Sequence, residues 1–233
     1  MRWMNARARG GAAYLPTPVE QIANIATHGV VILPVWFCVI DLVTTAPAHA
    51  QPYVVIYGLA LLGLFSVSTL FHVLSLLRRD SDLCRGFHRG DRAMIFLFIA
   101  GSYAPWLSLE RVQLLHIHHD LQWGLIVWTL VGIVFQQLCH DRYKMVETLS
   151  YVIVATTPAF FLFDSISWQS LVHLSLGGLS YLVGVIFFKM DGILPFAHAL
   201  WHLFVVFGAG IHMNGVREEL NLEKLARDLG GKS

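Results

Sequence analysis

The amino-acid sequence predicts an all-α polytopic membrane protein, a bundle of seven transmembrane helices with a cytosolic N-terminus and an extracytosolic C-terminus. Of the 233 residues, 56% are hydrophobic and only 13% are charged, about half the roughly 25% that is usual for a soluble domain. The mean hydropathy of +0.60 agrees with this. The apolar residues also form stretches of about 20 residues, the length that a helix needs to cross the bilayer core.

Seven such stretches follow one another along the chain, and short polar segments separate them. In order, the stretches are 23–46, 53–77, 92–109, 121–140, 146–163, 170–190 and 195–216. We therefore expect three regions: an N-terminal tail over 1–22, a transmembrane domain over 23–216 and a C-terminal tail over 217–233.

The orientation follows from lysine and arginine in alternating loops, because cytosolic loops carry an excess of both. With the N-terminus inside, the cytosolic segments carry eleven of these residues and the opposite segments carry five. The outer loops 47–51 and 164–167 have none. The C-terminus is then expected on the far side of the membrane. The total of 16 Lys and Arg against 15 Asp and Glu leaves no basic excess for binding nucleic acid.

Three of the histidines inside the predicted membrane helices point to a functional site, because an ionisable side chain there marks one by default. His198 and His202 are four residues apart and share one face of the last helix. His72 lies near the end of the second stretch, at the same cytosolic depth. Three neutral imidazoles could hold Zn²⁺ and leave one coordination position open, as in catalytic zinc sites. The alternative is a hydrogen-bonded polar cluster that fixes the packing of the helices.

Two more polar residues are expected beside these histidines. Asp91 opens the third stretch on the same side, and Ser68 lies one helical turn from His72. Asp91 could orient a ligand imidazole or a bound water, or it could simply be solvated among the cytosolic arginines. Ser68 could donate to an oxyanion, or it could bond the backbone carbonyl of the preceding turn.

The remaining polar residues give weaker signals. The run HIHHD at 116–120 is expected to be an exposed outer loop. His212 is about 15 Å further along the last helix than His202, too far to bind the same ion. His28 and Asp41, in the first stretch, are assigned either to helix packing or to a polar cavity.

Several segments resemble the signature segments of the progestin and adipoQ receptor / hemolysin III family, over about residues 20–216. They are EQIANIATHG (20–29), STLFH (68–72), GDRAMIFLFIAGSYAPW (90–106) and HALWHLFVVFGAGIH (198–212). Two further segments are similar to one branch of this family: CHDRYKMVE (139–147) and FFKMDGILPFAHALWHLFV (187–205).

The resemblance implies a seven-helix fold with a cytosolic N-terminus and a zinc ion held by the three histidines, with Asp91 and Ser68 adjacent. Within the family, some members resemble the alkaline ceramidases, which hydrolyse lipid amides, and others are receptors for adiponectin or steroids. The branch resembled here implies Golgi or endosome–lysosome membranes and the promotion of Ras-type kinase signalling. The plasma membrane is the alternative location.

Two functional hypotheses result. The first is a zinc-containing, receptor-like protein of membrane signalling, whose cytosolic segment 78–92 contacts anionic lipid or Ras- and kinase-pathway proteins. The second is an intramembrane zinc hydrolase of a lipid amide, with Asp91 transferring the proton and Ser68 holding the oxyanion. Membrane lipids, as surroundings, ligand or substrate, are the expected partners in both.

Overall fold

The computed structural model describes residues 3–7, 14–116, 118–139 and 142–230. Throughout these residues the regular secondary structure is helical, which confirms the all-α prediction. The helices are α1 (Pro18–Gly29), α2 (Ile32–Thr45), α3 (Gln51–Leu77), α4 (Asp82–Leu107), α5 (Glu110–Gln113), α6 (His118–Leu138), α7 (Lys144–Leu162), α8 (Trp168–Phe188) and α9 (Ala197–Gly230).

Six helical segments in the described part of the chain are long and apolar enough to cross a membrane: α1 together with α2, and α3, α6, α7, α8 and α9. Large apolar side chains are exposed on these helices, among them Phe37, Val131 and Phe160. A helix surface that is apolar on its outside is typical of contact with lipid. The chain is therefore a multi-pass integral membrane protein.

The predicted third stretch, 92–109, lies in α4 as far as Leu107, and α4 is not among these six segments. The helix begins ten residues before residue 92, and its first half carries Asp82, Arg85, Arg89 and Asp91, which lower its hydropathy. The Ser81 side chain caps its first turn by accepting a hydrogen bond from the Cys84 N–H. Its second half is apolar and largely buried in the bundle.

The helices pack around α3 and α9. Helix α3 contacts α1, α2 and α4, while α9 packs along α8 and also contacts α1. Tyr57, Leu61 and Phe65 of α3, with Phe96 and Trp106 of α4, are almost completely buried and form the centre of the core. Because α3 and α9 both contact α1, polar residues of α1 can reach side chains of both.

Helix α9 extends beyond residue 216, where the last apolar stretch was predicted to end, and continues to residue 230. In this extension Leu220 is buried, and Glu219 accepts hydrogen bonds from the Ser167 N–H and from Arg111. Glu223 accepts from the Glu110 N–H. The described part of the predicted C-terminal tail thus packs on the loops at that end of the bundle.

The prediction of an exposed histidine run is wrong for His118. This residue is buried at the start of α6, and its Nε2 lies 3.2 Å from the Leu107 carbonyl oxygen. A hydrogen bond to that carbonyl satisfies the imidazole, so burial does not leave it without a partner. His116 and His119 are exposed, as expected.

Candidate metal centre

The structure brings the three histidines of the second and last predicted helices together. His72 comes from α3, and His198 and His202 come from the first two turns of α9. The ring centroids of His72 lie 5.1 Å from those of His198 and His202, and the latter two are 4.7 Å apart. Each ring offers one ligand nitrogen, and these nitrogens all lie within 4.8 Å of one another. We refer to these residues as the three-histidine cluster.

The orientation of His72 is set from α1. Its Nδ1 lies 2.8 Å from Oε1 of Gln21, and Nε2 of the same amide donates to the Ser75 hydroxyl at 2.8 Å. The longer contact with Asn24 Nδ2, at 3.5 Å, is secondary. An amide oxygen accepts, so the His72 proton resides on Nδ1. The Nε2 lone pair is then left facing the cluster, where that nitrogen is buried without a hydrogen-bond partner among the described residues.

The other two imidazoles are oriented in the same way, each through its Nδ1. His202 Nδ1 lies 3.0 Å from the Thr27 hydroxyl oxygen and 3.3 Å from the Asn24 carbonyl oxygen. His198 Nδ1 lies 3.2 Å from the Asp191 carboxylate, in the loop before α9. An acceptor on one ring nitrogen with the other nitrogen directed inward is the usual arrangement around a bound metal ion. The chemistry and the orphaned nitrogen of the donor set therefore fit a divalent metal.

A cavity of about 550 Å³ adjoins the cluster. His198 and His202 line one end, and His212 lines the other. Fourteen residues of α9 separate His198 from His212, so the cavity follows the helix for ~21 Å. Apolar side chains of α4, α7 and α8, such as Ile99 and Leu174, form most of its wall. Its length and apolar wall suit an extended lipid chain.

Asp91 and Ser68 line this cavity as well, on the side of the cluster, and the Ser68 hydroxyl interacts with the Asp91 carboxylate. The next residue, Arg92, forms a buried ion pair with Glu147 of α7 at 2.7 Å. The Tyr151 hydroxyl donates to the same glutamate at 2.7 Å and lies 3.1 Å from the Arg92 carbonyl oxygen. This network fixes the backbone beside Asp91, which places its carboxylate at the cavity rather than among solvated arginines.

The two histidines without an assigned role occupy different places. His28 stacks on His202, with centroids 3.7 Å apart and planes 14° apart. His212 accepts a hydrogen bond from the Trp106 indole N–H at 3.0 Å, far from the cluster. Asp41 is not near either; it pairs with Arg217 at 2.8 Å.

A short N-terminal segment lies against the start of α9. The Tyr14 hydroxyl donates to Glu20 at 2.9 Å, and the Phe196 N–H donates to the same carboxylate at 3.4 Å. Burial raises the pKa of Tyr14 to about 12, so the phenol stays protonated and keeps donating. Phe196 has a φ of 58°, which a non-glycine residue adopts only when its surroundings hold it there. Glu20 thus helps to hold the turn that leads to His198.

Sequence reasoning missed Gln21 and Asn24 of α1, and it assigned His28 either to helix packing or to a polar cavity. These three residues are each at most 3% exposed and recur at the spacing of one helix face. That shared face was a signal that could have been used. Asp191 carried no comparable signal, because it lies in a short polar loop.

These features define a class: an all-helical, multi-pass membrane protein with a buried three-histidine cluster that could hold a metal ion. Comparison with known proteins places the chain more closely. The profile of the family described as "Haemolysin-III related" matches residues 17–213, and the chain belongs to this family.

Relatives are found in mammals and in bacteria. The chain is 39% identical to the human "Monocyte to macrophage differentiation factor" over 221 residues, which cover 91% of this chain and 89% of the relative. It is 34% identical to "Hemolysin-3" of Bacillus cereus over 206 residues, or 82% and 88% of the two chains. The "Hemolysin-3 homolog" of Bacillus subtilis (strain 168) is 32% identical over 202 residues. The family and the branch indicated by the sequence motifs are therefore confirmed.

Proposed function

We propose that this chain is a zinc-binding, receptor-like membrane protein in which a lipid occupies the cavity with its head group at the three-histidine cluster, and which acts in membrane signalling. The observation that carries the proposal is the position of the cluster at one end of a long apolar cavity. Among bound metals, Zn²⁺ suits three neutral imidazoles and keeps a further position for a ligand. When bound, zinc would supply a Lewis acid that polarises an oxygen of the head group.

Metal analysis of the detergent-purified full chain tests the zinc site. We expect about one zinc per chain in the wild type and almost none in the His198→Ala, His202→Ala double variant. His119→Ala, which removes an exposed imidazole outside the cluster, is the matched control and should retain zinc. Equal zinc in the wild type and the double variant would contradict the proposal.

The membrane arrangement that we propose has seven spans, with α1 and α2 forming the first and α4 forming the third. The N-terminus then lies in the cytosol and the C-terminus on the far side, in agreement with the eleven-to-five distribution of lysine and arginine. After replacement of Cys38, Cys84 and Cys139, single cysteines before Pro18 and after Gly230 can be labelled with an impermeant maleimide in intact membranes. Labelling of both from the same face would contradict seven spans.

The signalling role draws support from the cytosolic side of this arrangement. Arg78 and Arg79 are exposed at the turn before α4, where they could contact anionic lipid or a Ras- or kinase-pathway protein. The relatives named as a monocyte to macrophage differentiation factor favour such a role. Charge reversal of both arginines should abolish kinase activation in cells while membrane insertion is unchanged. If the variant still activates the kinase, the two arginines serve only to set the membrane topology.

We also propose an endomembrane location, in the Golgi or in late endosomes and lysosomes. Microscopy of a tagged chain expressed at low level, beside markers of each compartment, tests the location. A signal confined to the plasma membrane would overturn it.

A second candidate function is the hydrolysis of a lipid amide, such as a ceramide, to a fatty acid and an amine. Its support is that Asp91 and Ser68 share the cavity with the cluster. Asp91 would accept a proton from the attacking water and pass it to the leaving amine, and Ser68 would donate a hydrogen bond to the carbonyl oxygen. Fatty-acid release should then disappear in Asp91→Ala and in His202→Ala. Equal release from the wild type and both variants would exclude this activity.

A further inference from the structure

His28 is a buried imidazole whose two ring nitrogens have no hydrogen-bond partner among the described residues. The side chain is 3% exposed and lines the cavity next to His202. His72 Nε2, the nitrogen that faces the proposed metal position, is orphaned in the same way. Buried polar atoms of a native protein nearly always have a partner, so orphaned atoms gathered at one place indicate a missing group there.

Packing does not explain why this residue is a histidine. The ring stacks on His202 and meets Phe65 edge to face, with centroids 4.9 Å apart. A phenyl ring would make both contacts, and it would bury no unpaired nitrogen. Contacts with the surrounding protein therefore do not explain why this ring carries nitrogen atoms.

His28 is also not positioned to act as a fourth metal ligand. Among the described residues, the group of three or more ligand side chains that could share one metal ion is His72, His198 and His202, and His28 is not in it. The His28 ring runs nearly parallel to that of His202, so it lies beside this ligand rather than opposite it. A group in this position can contact whatever binds next to the cluster from the cavity side.

We propose that His28 donates a hydrogen bond to an oxygen of the ligand head group that binds at the three-histidine cluster. The head group that fits is a carboxylate or a hydroxamate, which can offer one oxygen to a metal ion and another to the imidazole. This inference rests on the proposed zinc-binding function. Asn24, one helical turn earlier, has a side-chain oxygen that is also buried without a partner among the described residues, so the unpaired polar atoms extend along this face of α1.

The experiment uses the detergent-purified full chain loaded with Co²⁺, whose visible spectrum reports on the groups around the metal. Acetohydroxamate is titrated as the head-group probe into the wild type, His28→Phe and His28→Gln. His28→Phe keeps the ring stack and removes the nitrogens, while His28→Gln keeps an N–H donor. We expect full Co²⁺ occupancy in all three. The dissociation constant of the probe should rise about tenfold in His28→Phe, as for the loss of one hydrogen bond, and less in His28→Gln.

The same variants separate this role from a structural one. The metal-free His28→Phe chain should unfold at a higher temperature than the wild type, because two orphaned nitrogens are removed. A lower unfolding temperature, unchanged affinity for the probe, or loss of Co²⁺ from His28→Phe would each overturn the inference. A wild type that binds no Co²⁺ would instead overturn the zinc site itself, and the role of His28 with it.

Discussion

At the scale of single residues, the cluster depends on what each imidazole contacts through its outer nitrogen. An imidazole can offer either nitrogen to a metal ion, and the acceptor on the other nitrogen decides which one is used. Here the acceptors come from three different places: the Gln21 side chain, the Asn24 backbone and the Asp191 carboxylate. The three rings are therefore oriented before any metal binds.

Replacement of Gln21 by leucine should weaken metal binding about 10–100-fold, the usual effect of losing an outer hydrogen bond to a ligand histidine. The His72 ring would lose its acceptor while the volume at this buried position is roughly kept. Affinity can be measured by competition with a coloured chelator. Ser75→Ala is the control, since it removes the partner on the far side of the amide. Equal affinities for wild type and Gln21→Leu would show that His72 does not depend on this contact.

The sequence was sufficient to predict that these histidines meet. His198 and His202 share a helix face by their spacing, and His72 lies at the same depth on a helix expected to run the opposite way. The acceptors were harder to predict. A backbone carbonyl such as that of Asn24 is common to every residue, and Asp191 becomes a neighbour of His198 only through the turn between α8 and α9.

At the scale of helices, α8 and α9 approach closely because a glycine of each helix packs against an aromatic ring of the other. A Cβ atom on Gly184 would lie 2.7 Å from the Trp201 ring, and one on Gly208 would lie 2.7 Å from the Tyr181 ring. Small residues at helix contacts are the usual means of close packing in membranes. Trp201 immediately precedes His202, so this packing also supports the cluster.

Gly184→Ala should therefore destabilise the protein by about 1–3 kcal/mol, because the new methyl group overpacks the contact with Trp201. The control is Gly210→Ala on α9, where the added Cβ meets no atom within 4 Å. There the change should be neutral or stabilising by up to ~1 kcal/mol, from the better helix propensity of alanine. Unfolding in detergent by heat or denaturant gives both values. A stable Gly184→Ala variant would mean that the two helices can separate at no cost.

The extension of α9 illustrates why helix ends were difficult to predict. Hydropathy falls after residue 216 because charged residues begin there, and the apolar stretch was ended at that point. In the structure Glu219 is 1% exposed, and its carboxylate is paired with the Ser167 N–H and with Arg111. Because these partners compensate the buried charge, the helix can continue past residue 216. A hydropathy pattern contains no information about such partners.

Glu219→Ala should cost about 2 kcal/mol of stability, because the Ser167 N–H loses its acceptor in a buried place. The neighbouring Glu218, which is half-exposed and contacts His173, provides the control. Its replacement by alanine should change stability by less than about 1 kcal/mol. Both are read from unfolding in detergent. Similar effects of the two changes would show that the extension contributes little to the fold.

At the scale of the whole molecule, the cavity joins the cluster to the surface that faces lipid. Helices α7 and α8 both contribute to its wall, and Phe160 of α7 lines it while being 80% exposed on the outside. A lipid could therefore pass between these two helices without leaving the membrane. A second groove of about 420 Å³, between α6 and α7, is separate and does not contain residues of the cluster.

Filling the main cavity should block a lipid ligand without disturbing the metal site. Gly178 of α8 lines the cavity, and a Cβ added there meets no atom within 4 Å, so Gly178→Trp places its ring in the space a lipid chain would use. We expect oleate binding, followed with a fluorescent fatty acid in competition, to fall at least tenfold while zinc content stays unchanged. Gly124→Trp, in the separate groove, has equal room for its Cβ and should bind oleate as the wild type does. If oleate binding fell equally in both variants, the lipid would bind outside the cavity. The zinc site would then have no part in lipid recognition.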